Sequence, residues 1–388
     1  MMNIKNMDHT LKLRTQALKC FGATGAAIDE LLAYNTNVFD HSLIAEQRSL
    51  SLEDEPFVQT WQAYAAESEQ IGVFEALRKR IVQLNFPIAE GVSATEAYQR
   101  AVKKGILDES FLQGPGVQLK RPEALELLIH QTPAGKIPIV IAAEKADFIA
   151  LLRAIMLRNE PKDVPETQGG SMIAGYNNWD RVWRLKERVR KTTEGSFTEA
   201  LWAQEFKNII PQKHLYQDTF ILLSQSDYSG ISSEQMQCEA AEWQRLSLII
   251  RREHECTHYF TRRALGSMRN NMLDELIADY AGITSALGHF SAEWFLTFVG
   301  LEQYPQYQTG GRLQNYRGNP PLSDDAFRIL QTLVYHAAQN LEHCDRRFRS
   351  PTSQTNYLML PLTYLTLEEL ASEQAAELLE QYYVSKED

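Results

Sequence analysis

The sequence predicts an α+β fold that is predominantly helical and built around a small sheet. Three observations carry this expectation. Apolar residues recur at helical spacing through the first hundred residues and again after residue 230. Two short apolar, β-branched runs, residues 137–143 and 219–223, have strand length. The composition of the 388 residues, 44% hydrophobic, 23% charged and 10% aromatic, is that of an ordinary globular chain with enough material for a sizeable core. Three regions are expected: a mainly helical N-terminal region over 1–130, an α/β core over 131–300, and a loop and helical C-terminal subdomain over 301–388.

Taken in order, "TGAAIDELLAYNTNVF" and "FVQTWQAYAAESEQIGVFEALRKRIVQL" read as amphipathic helices. Breaks fall at "NFPIAEGVS" and "FLQGPGVQLKRPE", where Pro and Gly cluster. Between them Ser93 and Glu96 have capping-box spacing, and Gly105 closes the segment. "KIPIVIAAEKADFIALLRAIML" predicts a strand running into a helix. The Gly- and Pro-punctuated residues 159–182 read as a loop, either an ordered surface connection or a binding loop. Thr219–Leu223 follows as a strand, and Ser232 or Ser233 is expected to cap a helix from about Glu234 to Arg263.

Several function classes are excluded. The formal net charge is −11, and the basic residues are interleaved with acids, so neither nucleic acid nor an anionic membrane is an expected partner. The longest apolar run, residues 137–143, is far short of the roughly 20 residues that span a bilayer. The N-terminal stretch lacks the apolar core of a signal peptide, which makes a cytoplasmic location the expectation. Cys20, Cys238, Cys256 and Cys344 are scattered without CxxC spacing, as free thiols would be.

The chemistry concentrates in "IIRREHECTHYF", residues 249–260. His254 and His258 are four apart, hence one turn apart on a helix, about 6 Å along its axis. They continue the apolar face of Trp243, Leu246 and Ile250. From that spacing both imidazoles can reach one zinc ion, while Glu255 points beside the metal, where it can take a proton from a zinc-activated water. A second predicted helix, in "NNMLDELIADYAG", carries Glu275 and Asp279, again four apart. Ala278, Gly282 and Ala286 share that acidic side, and small residues permit the close helix approach a third ligand needs. Glu275 is therefore expected to complete a His2Glu set around Zn2+. Asp279 is expected to orient one ligand histidine, without the sequence saying which.

HECTH followed by Glu275-Leu276-Ile277-Ala278-Asp279 resembles the gluzincin branch of zinc metallopeptidases, over about residues 219–290, as in bacterial families that share only this core. The resemblance implies a zincin-like core, metal ligation by His254, His258 and Glu275, and general-base catalysis by Glu255. It also implies that Thr219–Ser226 is the edge strand that pairs with an extended substrate.

A donor to the substrate oxyanion is sought in the loop at 301–321, which offers Tyr304, Tyr307, Arg312, Tyr316 and Arg317; Tyr316 is the first candidate because glycines flank it. His336 and His343 lie seven apart on a third helix, too far to chelate one ion together. The expected function is zinc-dependent hydrolysis of a peptide or amide substrate. Two other classes stay open: a metal-binding regulatory or inactive peptidase-like protein, and a metal-free helical interaction module.

Overall fold

The computed structural model describes residues 4–44, 52–107, 114–193, 195–349 and 357–383. Helices dominate, and among the described residues four strands form one sheet, an α+β arrangement as expected. The chain divides into two compact units, one of Ser49–Gly230 and one of Met1–Arg48 with Ile231–Asp388. These divisions do not coincide with the expected boundaries at 130 and 300. The sheet belongs to the first unit and both motif helices to the second, whereas the sequence suggested a single region holding both.

In the sheet unit, β1 (Glu126–Thr132) and β2 (Gly135–Ala142) form an antiparallel hairpin, and β2 runs on to the helix Lys145–Met156. Residues 159–182 are not all loop: they contain β3 (Gly170–Asn177) and the start of the helix Trp179–Thr192. The turn-rich composition there marks a bulge inside a strand. Gly175, at φ 74, sits at the register shift between Ala174 and Tyr176. β4 (Gln217–Ser224) is parallel to β2 and antiparallel to β3, giving the order β1-β2-β4-β3. It is thus interior, and the expected edge role of Thr219–Ser226 is wrong. An unbroken buried run from Phe220 to Ser224 is the pattern of a strand covered on both faces, not of an edge.

Helix Phe57–Ile71 packs on this sheet through Trp61, whose ring lies 4.7 Å from that of Phe220. The buried carboxylate of Asp218 accepts hydrogen bonds from Trp61 Nε1 (2.8 Å), Asn178 Nδ2 (2.6 Å) and Arg181 Nη1 (2.6 Å). Burial pushes this carboxyl above its usual range, opposed by Arg181 and the donors. Arg181 is itself only 7% exposed, so removing its partner strands a buried cation. Asp218→Ala is therefore expected to destabilise the protein by about 3–5 kcal/mol in denaturant unfolding. A loss within experimental error would show that solvent reaches Arg181.

Two capping expectations shift. Thr95, not Ser93, caps the turn Glu96–Tyr98, accepting from the Tyr98 N–H at 3.3 Å, and the chain then widens into a π-helical segment, Gln99–Lys103. In the second unit the histidine helix spans Ala240–Leu265, starting later than expected. Ser232 caps only a single turn, and Gln237, at φ 51, interrupts helical geometry before Glu239 accepts from the Ala241 and Glu242 N–H groups. Gly266 ends the helix in the left-handed conformation, and the glutamate helix, Met272–Leu287, follows.

The two helices approach so closely that a Cβ placed on Gly282 would lie 2.7 Å from the carbonyl oxygen of Ile250. Ile250 is one turn before His254, so the glycine contact sets the distance at which the second helix can present its carboxylates. None of the described helices is long and apolar enough to cross a membrane.

Candidate metal centre

The histidine helix presents His254 and His258 inward, 8% and 7% exposed. Their Nε2 atoms lie 3.1 Å apart. From the neighbouring helix, Glu275 Oε2 is 3.5 Å from His254 Nε2, and Glu275 Oε1 is 3.5 Å from His258 Nε2. Ligands placed about 2.0–2.1 Å from one ion at tetrahedral angles are separated from one another by about 3.3 Å. One ligand-capable atom from each of the three side chains lies within 4.8 Å of the others, close enough that a single metal ion could be held among them.

The tautomer of His254 is set by its other nitrogen. Nδ1 lies 2.8 Å from Asp279 Oδ1. A carboxylate oxygen accepts, so Nδ1 donates this hydrogen bond and Nε2 is the nitrogen that faces Glu275 and His258. Of the two histidines left open by the sequence, Asp279 holds the first. Asp279 is fully buried and accepts a second, charged hydrogen bond from Arg312 Nη2.

Charge in the cluster favours a cation. Burial raises the Glu275 carboxyl, but the hydrogen bond with His258 and the charges of His254, His258 and Arg312 outweigh it and hold the group well below the usual carboxylate range. Burial pulls His258 down, but Glu275, Glu255 and Asp274 lift it to about 9. Positive charge on His258 is thus stabilised by the carboxylates around it. Glu255 is half-buried on the same helix, near enough to His258 for its charge to act there.

Sequence reasoning missed Asp274. It is 2% exposed, accepts from the Asn270 N–H, and leaves Oδ1 buried without a hydrogen-bond partner among the described residues, as does His258 at Nδ1. Burial raises the Asp274 carboxyl to about 6, against the pull of His258. Its position directly before Glu275 was the available signal.

The loop residues separate. Tyr304 stacks on Tyr335 at 4.1 Å, and Tyr307 donates to the Gly311 carbonyl, so both anchor the chain. Arg317 binds Asp324 and the Leu322 carbonyl. Tyr316 does reach the centre, but its hydroxyl donates to Glu275 Oε2 at 2.7 Å. The group expected to serve a substrate oxyanion is engaged by the Glu275 carboxylate. His336 stacks on Phe21 at 4.8 Å and His343 is exposed; neither joins the cluster. All four cysteines are free thiols.

No curated protein and no solved structure matches this chain. A family of unknown function, DUF7005, matches residues 16–374, which include every group of the centre, and the chain belongs to that family.

Proposed function

We propose that the protein is a zinc-dependent hydrolase, a metallopeptidase of gluzincin type acting on peptide or amide bonds, with the histidine and glutamate helices as its zincin-like core. One observation carries the proposal: His254, His258 and Glu275 converge from two helices to mutual separations of 3.1–3.5 Å. A bound divalent cation would supply Lewis acidity, acidifying a coordinated water and polarising the scissile carbonyl.

The chain's own residues do the rest. Glu255 accepts the proton of the attacking water and passes it to the departing amine. Asp279 keeps His254 in the tautomer that offers Nε2, with its Nδ1 proton fixed at 2.8 Å. Tyr316 restricts rotation of the Glu275 carboxylate. Burial of both histidines keeps bulk water from competing with these contacts.

The direct test uses zinc-loaded full-length protein and a quenched-fluorescence peptide library. The expected result is cleavage that stops on chelation and returns with added zinc. Failure to cleave any peptide or simple amide, with one zinc bound per chain, would contradict hydrolase function while leaving the metal site intact.

A further inference from the structure

The turn Arg312–Tyr316 carries two donors to two groups of the glutamate helix. Arg312 Nη2 binds Asp279, and Tyr316 Oη binds Glu275. Both pairs are four residues apart and run in opposite senses, Arg312 to Asp279 and Tyr316 to Glu275. Along an α-helix four residues rise about 6 Å, and along a 3-10 turn about 8 Å, a mismatch that long arginine and tyrosine side chains can absorb. One short turn thus grips a ligand directly and another through its orienting carboxylate.

The turn is itself held on three sides. Within the loop, Tyr307 Oη donates to the Gly311 carbonyl (2.7 Å) and accepts from the Gln314 N–H (3.1 Å). At its start, Gly311 meets Gly300 so closely that a Cβ on either would fall 2.8 Å from the other's Cα. At its end, Tyr34, closing the helix Ala26–Tyr34, donates its hydroxyl to the Tyr316 carbonyl at 2.5 Å. Tyr34 is also fixed through its own carbonyl, which accepts from Asn271 Nδ2 at 2.6 Å, one turn before Glu275.

We propose that residues 312–316 are a clasp that sets the metal affinity of the centre, with Arg312, Tyr316 and Tyr34 as positioning residues, so that metal binding and closure of the turn are one linked equilibrium. This rests on the metal reading above. Reciprocity follows: whatever factor the closed clasp adds to metal affinity, the metal adds to closure. A metal-free chain holds the turn less firmly, and any ligand that displaces Tyr34 from the Tyr316 carbonyl releases zinc.

The test is zinc affinity by competition with a chromophoric chelator, together with amide hydrogen exchange over residues 308–314, with and without zinc. Arg312→Ala is expected to weaken zinc about 10- to 100-fold, the usual consequence of losing an outer-shell partner, and Arg312→Lys to restore part of it. Tyr34→Phe, which leaves every metal-contacting group in place, is expected to weaken zinc about 2- to 10-fold, the value of one hydrogen bond. Tyr34→Phe and Tyr316→Phe combined are expected to cost less than the product of the single effects, because both act through one turn. Zinc is expected to slow exchange at Gln308, Gly311 and Gln314 in the wild type and to do so less in Tyr34→Phe.

Wild-type zinc affinity in Arg312→Lys, Arg312→Ala and Tyr34→Phe, or exchange over 308–314 that ignores zinc, would overturn the clasp while leaving the metal centre standing. A wild type that binds no metal would overturn both.

Discussion

Glu255→Gln is expected to lower hydrolysis by about 10²- to 10⁴-fold while zinc content stays unchanged. The substitution keeps the size and polarity of the side chain but removes the carboxylate that is proposed to accept the water's proton. Glu255 is not among the three groups, His254, His258 and Glu275, that could hold a metal ion. Measured as kcat at saturating substrate beside elemental analysis, the result separates a chemical role from a structural one. A variant with full zinc and wild-type kcat would show that Glu255 is not the base. Loss of zinc in the same variant would show that Glu255 supports the ligands instead.

The second large effect concerns a residue with no chemistry. Gly282→Val is expected to destabilise the fold by more than about 3 kcal/mol and to loosen the metal centre. Alanine alone would place a Cβ 2.7 Å from the Ile250 carbonyl oxygen and 2.9 Å from its Cγ2. Inside an isolated helix, replacing Gly by Ala gains about 1 kcal/mol. Overpacking against a backbone that cannot yield costs about 1–3 kcal/mol, so even Gly282→Ala is expected to be neutral or unfavourable, and valine worse. Pushing the helices apart also moves Ile250, and with it His254 one turn later. Denaturant unfolding and zinc affinity should therefore fall together; a stabilised Gly282→Ala with wild-type zinc affinity would mean that the helices have room to spare.

The legible parts of the sequence were those governed by local periodicity. His254, His258, Glu275 and Asp279 could be placed on two facing helices because a spacing of four is a property of one helix turn, and because Gly282 announced a close approach. β2 and β4 were visible as β-branched runs. β3 was hidden by its glycines, since a bulge is written with the same residues as a loop. The position of β4 inside the sheet was misjudged because strand order depends on pairing between distant segments, although its unbroken apolar run argued for two covered faces.

The same limit applied at the centre. Arg312 and Tyr316 were named as loop residues, but nothing local says that their donors reach Asp279 and Glu275, which precede them by more than 30 residues. Tyr34 gave no signal at all, because its contact with the Tyr316 carbonyl spans 282 positions. The late start of the histidine helix turned on Gln237, a residue with no strong preference for the positive φ it adopts.

Elemental analysis of the purified, untagged full chain, beside His258→Ala and Glu275→Ala, tests the central claim most directly. One zinc per chain is expected in the wild type, lost in both variants, since each removes one of three groups whose ligand-capable atoms lie within 4.8 Å of one another. A wild type without metal after zinc is supplied, or variants that retain it in full, would contradict it.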